Sequence, residues 1–144
     1  MIIVSNNHPT LRFPKRETFR AIENVLLYES VRSFQVSVVF VGSRFIRRIN
    51  RRFLRHDYIT DVIAFPLGEG NGAPLEGEIY VNLDCAKTQA RDYGVTFTEE
   101  VRRLVTHGTL HLLGYADSSP RKKAKMAQRE DALLARLSAS KRGK

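Results

Sequence analysis

Apolar and polar positions repeat at two different periods along the chain, and the periods mark out the elements. Ile2 to Val4 is a short β-branched run that predicts a first strand. From Lys15 to about Ser30 the apolar residues Phe19, Ile22, Val25 and Leu26 recur at helical spacing, with Pro14 at the first turn. Phe34 to Val41 alternates but is apolar on both sides, as in a strand covered on both faces. Ser43 is placed to cap a second helix running to about Phe53. Val62 to Phe65 reads as a buried strand ended by Pro66, and Glu76 to Asn82 as a fourth strand. Leu83 to Tyr93 predicts a helix that Gly94 ends. Thr96-x-x-Glu99 is a capping box opening a helix whose core face is Val101, Leu104, Val105, Gly108 and Leu112. Ser119-Pro120 opens a last helix with Met126, Leu133, Leu134 and Leu137 inward.

The order β-α-β-α-β-β-α-α-α predicts an α/β (α+β) fold: a single-layer mixed four-stranded sheet packed against about five helices. The short link between the third and fourth strands predicts an antiparallel hairpin there. No internal repeat breaks the chain. Residues 1–139 are expected as one domain, with 140–144 as a disordered basic tail.

Composition narrows the class. A length of 144 residues with 42% hydrophobic content suits a single globular domain. No apolar run approaches the ~20 residues of a membrane span. Met1-Ile2-Ile3-Val4 carries no basic region ahead of its apolar residues, unlike a secretory signal. The single cysteine, Cys85, excludes an internal disulfide and is expected as a small buried residue on a helix. These features lead to an expected cytoplasmic location. The glycine-rich stretch Gly68 to Pro74 lacks the lysine and helix of a phosphate loop, and no small-molecule cofactor is expected.

A net charge of +9 points to a polyanionic partner. Arg44, Arg47, Arg48, Arg51 and Arg55 recur at three and four residues on the second helix, with no acid among them. Such a stripe suits phosphates, which guanidinium groups grip through paired hydrogen bonds. Arg121, Lys122, Lys123 and Lys125 crowd the start of the last helix, where cations oppose the dipole and an anion would be favoured.

The densest chemistry lies in Thr106 to Asp117. His107 and His111 are four residues apart, so a helix puts them on one face about 40° apart. Two imidazoles so placed can share one metal ion. Gly114 can end the helix in a left-handed conformation and turn Asp117 back toward the same ion. Three protein ligands with one open position is the pattern of a catalytic zinc. The plainer alternative is two partly buried histidines with ordinary hydrogen bonds.

The same run resembles the signature of the YbeY family of bacterial rRNA maturation endoribonucleases, His-Gly-x-Leu-His-Leu-x-Gly-Tyr-Asp-His. Its first nine positions match from His107 to Tyr115. Ala116 stands where the family usually has Asp, and Asp117 where it usually has the third histidine ligand. A second stretch is also similar: Asn50-x-x-Phe53, Asp57 and Thr60-Asp61-Val62-Ile63-x-Phe65-Pro66. Here Leu54 replaces the family's usual arginine after the aromatic, with Arg55 and His56 next to it. The resemblance implies one zinc ion per chain on His107, His111 and Asp117, with Arg55 and His56 as catalytic candidates. It also implies cleavage of single-stranded RNA, maturation of the 16S rRNA 3′ end, ribosome quality control, and rRNA with the small ribosomal subunit as partners.

Two other functions compete. Zinc proteases use His-Glu-x-x-His, but Gly108 occupies the place of the glutamate base. A non-catalytic ribosome-associated RNA-binding or assembly factor with a structural metal ion fits the same basic surface.

Overall fold

The computed structural model describes residues 1–55, 57–68 and 74–142, and only the backbone of 140–142. Strands β1 (Ile2–Asn6), β2 (Phe34–Val41), β3 (Val62–Pro66) and β4 (Leu75–Asn82) form one sheet in the order β1-β2-β4-β3. β1, β2 and β4 run parallel, and β3 pairs antiparallel with β4 in the register Val62 opposite Val81. The mixed sheet and its hairpin are those the sequence predicts. The helices are α1 (Lys15–Tyr28), α2 (Ser43–Ile49), α3 (Leu83–Tyr93), α4 (Phe97–Leu112) and α5 (Pro120–Arg142).

The two apolar sides of β2 explain the layering. Val36, Val38 and Phe40 join Ile79 and Val81 of β4 in the main core, under Ile22 and Leu26 of α1 and Leu104 and Val105 of α4. The alternate residues Val39 and Val41, with Ile63 and Tyr80, face the other way and meet Ile46 and Ile49 of α2. The sheet therefore stands between α4 and α2.

α4 lies very close to β4. A Cβ on Gly108 would come within 2.7 Å of Ile79 Cγ2, and one on Gly77 would collide with Leu112. Only glycine allows that approach, and it seats the helix that carries both histidines. The capping box of Thr96 and Glu99 is formed, and Gly94 ends α3 at φ +69°.

Four local expectations change. Pro14 is the cap residue of α1, extended at ψ 134°, rather than part of its first turn. Ser43 does not cap α2: Gly42 does, and the Ser43 amide donates to Asp84 Oδ2 at 2.9 Å while its hydroxyl accepts from Asn82. The second helix stops at Ile49 and widens into a π-helical turn over Asn50–Leu54, closed by Arg55 in the left-handed region at φ 57°. α5 runs to Arg142, three residues into the expected tail. Ala139, Lys141 and Arg142 are good helix formers and no glycine comes before Gly143.

Cys85 is half-buried near the start of α3, where Asn82 donates to its sulfur and burial pushes its pKa up, so it is no ready nucleophile. Among the described residues, no helix is long and apolar enough to cross a membrane.

Candidate metal centre

α4 sets His107 and His111 one turn apart, with Nε2 atoms at 3.1 Å from each other and ring planes nearly perpendicular at 79°. Each ring is held from behind. His107 Nδ1 lies 3.0 Å from Glu130 Oε1 on α5, and His111 Nδ1 lies 3.0 Å from the Tyr115 carbonyl. A carboxylate and a carbonyl accept, so both Nδ1 atoms donate, and when both rings are neutral both Nε2 atoms keep their lone pairs. Two lone pairs aimed at each other repel unless a cation lies between them. Nitrogens ~2.0–2.1 Å from one tetrahedral ion stand about 3.3 Å apart, close to the spacing here. Histidine ligands are commonly fixed through the second nitrogen in this way. The donor set fits a metal ion.

The third group arrives by the bend after α4. Gly114 adopts φ +99°, its amide donates to the His111 carbonyl, and the Tyr115 amide donates to Leu110, which closes the helix as a Schellman motif. The turn brings Asp117 Oδ2 to 3.8 Å from His111 Nε2. One ligand atom from each of His107, His111 and Asp117 lies within 4.8 Å of the others. Asp117 is exposed, whereas the imidazoles are partly buried, which leaves the centre open on the aspartate side.

The bend itself is anchored. The Tyr115 hydroxyl donates to Glu29 at the end of α1 and accepts from Arg129 Nε of α5, and Arg129 lies 3.6 Å from Glu29. α5 thus fixes one imidazole directly through Glu130 and the other through Arg129, Tyr115 and its carbonyl. Burial lowers the pKa of His111, and the neighbouring His107 lowers it further. The ring is biased to the neutral form that binds metal.

Gly108, where a zinc protease carries its base, points into the contact with Ile79 and Val62. A glutamate there would be driven into the sheet, so the protease arrangement does not fit this helix.

The other predicted residues are distributed differently. Arg44, Arg47, Arg48 and Arg51 lie on α2 and the π-helical turn, across the sheet from the imidazoles rather than beside them. Arg47 Nε bonds Asp57 Oδ1 at 2.8 Å and Arg51 lies 3.6 Å from it, so an acid does meet the stripe, from just past its end. Arg55 is exposed at the close of the π-helical turn. His56 lies outside the described residues. Lys122 and Lys123 are exposed on the first turns of α5. Lys122 and Lys125 line a hollow of about 330 Å³ with Leu113 to Ala116, on the bend that carries Asp117.

Glu130 and Arg129 were not singled out from the sequence. A signal existed for Glu130: it falls four residues after Met126 and three before Leu133, on the inward face of α5. An acid at such a position, only 6% exposed, needs a partner.

Fold and site together define an α/β domain built around a two-histidine helix on a mixed sheet, with a His/His/Asp group able to hold a metal ion. The family model described as Endoribonuclease YbeY matches residues 4–138. The Endoribonuclease YbeY of Chloroherpeton thalassium is 39% identical over 137 residues, covering 95% of this chain and 96% of that one. That of Chlorobium luteolum is 42% identical over 118 residues, covering 82% and 85%. The solution structure of TM1509 from Thermotoga maritima superposes with a TM-score of 0.69 at 25% identity, covering 99% of this chain and 93% of that one. The chain belongs to the endoribonuclease YbeY family.

Proposed function

We propose that this chain is a metal-dependent endoribonuclease that cuts single-stranded RNA, with one zinc ion held by His107, His111 and Asp117. The observation that carries the reading is the pair of Nε2 atoms 3.1 Å apart, each fixed through Nδ1 by an acceptor. Bound zinc supplies Lewis acidity toward a phosphoryl oxygen and acidifies a coordinated water to a pKa of about 7. The chain's own contribution is to hold both imidazoles oriented and His111 neutral, and to keep one side of the site open to a strand. Lys122 and Lys123, on the helix that follows the bend, attract the phosphate backbone toward Asp117. Arg55 and His56 are assigned to substrate contact and proton transfer. The relatives' name and the basic surface support rRNA as substrate: the 3′ end of 16S rRNA on the small ribosomal subunit, in maturation and quality control, in the cytoplasm.

The test pairs elemental analysis with an oligoribonucleotide assay. His111→Ala is expected to lose both stoichiometric zinc and cleavage while remaining folded. Cleavage retained by metal-stripped protein would overturn the reading. The placement of the arginines across the sheet from the imidazoles favours one competitor, an assembly factor whose ion is structural. That reading predicts a salt-sensitive RNA complex with no cleavage products from the zinc-loaded chain.

A further inference from the structure

The sheet face turned away from the imidazoles carries a second chemistry. Phe45, Ile49 and Phe53 follow at four-residue spacing along α2 and the π-helical turn. A π-helical turn holds more residues than an α-helical one, which keeps Phe53 toward the side of Phe45 instead of letting it rotate past. The ridge is open to solvent: Phe45 is 38% exposed and Phe53 63%. On one flank Phe45, Ile49 and Phe53 share a hollow of about 410 Å³ with Arg48, Arg51 and Arg52. On the other they share one of about 340 Å³ with Phe65, Tyr80 and Glu78. Phe45 stacks on Tyr80 with ring centres 6.2 Å apart, and Phe53 meets Phe65 edge-on at 6.2 Å. These rings are held from beneath by Tyr80 and Phe65.

Charge identifies the occupant. Between residues 44 and 58 there are six arginines and one aspartate. Asp57 engages Arg47 and Arg51. Arg48 and Arg52 instead lie over the rings of Phe45 and Phe53, at 5.6 and 5.4 Å from their centres, and pair with no carboxylate among the described residues. Flat apolar rings interleaved with guanidinium groups that no described carboxylate neutralises complement a polyanion whose own rings are uncovered. Single-stranded RNA has that character, and a duplex, with its bases stacked on one another, does not.

We propose that this face is a second RNA site, separate from the imidazole centre, that takes unpaired nucleotides. Bases displace Arg48 and Arg52 from the rings of Phe45 and Phe53 and stack in their place, and the displaced guanidinium groups hold the phosphates. The proposal rests on the RNA-cleaving reading only for the nature of the polyanion. β3 is an edge strand, so a single strand held against α2 can pass round it toward α4. The site then anchors RNA at a distance from the bond that is cut, and long unpaired substrates are favoured over very short ones.

The test measures binding of a fluorescent oligouridylate of about twelve nucleotides, within the footprint of a single-strand site, to the full chain at fixed salt. Cleavage of a long unpaired RNA and of a trinucleotide is followed in parallel. The double variants Phe45→Ala/Phe53→Ala and Arg48→Ala/Arg52→Ala are each expected to bind about tenfold more weakly. Both should keep their metal content and their rate on the trinucleotide. Lys87→Ala/Arg91→Ala, which removes the same charge from α3, is expected to stay within about twofold. Unchanged affinity in the phenylalanine variant overturns the proposal, whatever protein that face then takes. So does a loss confined to the arginine pair, since plain charge would explain it. Should the phenylalanine variant fail to melt cooperatively, Phe53→Leu, which keeps the apolar volume and removes the ring, replaces it with the same expectation. Native chain that binds but never cuts would remove the cleavage reading and leave this site standing. Native chain that cuts while both double variants bind normally would do the reverse.

Discussion

Glu130 Oε1 and His107 Nδ1 meet at 3.0 Å across the α4–α5 contact, with the carboxylate almost wholly buried. Glu130 therefore sets which nitrogen of His107 faces the metal position. Removing such a partner typically costs ~10–100-fold in metal affinity. Glu130→Ala is expected to fall in that range by competition with a chromogenic chelator. Glu130→Gln, whose amide oxygen can still accept from Nδ1, is expected to lose less.

The metal-free protein should weaken in mild acid. Burial and then His107 hold His111 below its ordinary pKa of 6.5. The unfolded chain therefore binds a proton at a higher pH than the folded one, and the unfolded state gains as pH drops. Stability is expected to be level above about pH 6.5 and to decline from there toward the lowered folded value. Thermal melts between about pH 5 and 8 check this, and His111→Gln should flatten the decline.

Gly108→Ala is expected to destabilise the fold by about 1–3 kcal/mol, the usual result of overfilling a packed contact. Its Cβ would press on Ile79 and Val62, and the helix would have to lift from the sheet. Urea unfolding measures the loss. Metal affinity should fall with it, because both histidines ride on the same helix.

His8 offers a contrast, since it is buried, polar and remote from the metal. Its Nδ1 accepts from the Thr10 and Leu11 amides, and its Nε2 bonds Asp84 at 2.7 Å. His8→Ala leaves those groups without their partner, at an expected cost of about 1–3 kcal/mol. Metal content should be unchanged, as elemental analysis would show.

The strands and most helix limits were legible because local chemistry sets them: β-branched runs, the Thr96 box, Gly94. His107, His111 and Asp117 were legible for the same reason, since one helix and one bend bring them together. The sidedness of the sheet was not. Residues 34–41 are apolar on both sides, which predicts two covers but not which helix is which. Whether the arginine stripe shares a face with the imidazoles is therefore not legible, and in the structure α2 takes the other face. The Ser43 cap failed because Asp84, forty-one residues later, supplies the acceptor. Glu130 is not legible from local sequence because its partner lies twenty-three residues earlier, on another helix.

α5 has a consequence in time as well as space. Ribosomes release a chain from its amino end, and domains form in that order. All four strands and the two-histidine helix precede Glu130 in that order, so the carboxylate that orients His107 is made after everything it supports. The hold that α5 gives both imidazoles, through Glu130 and Arg129, therefore comes only once the last helix has joined the chain.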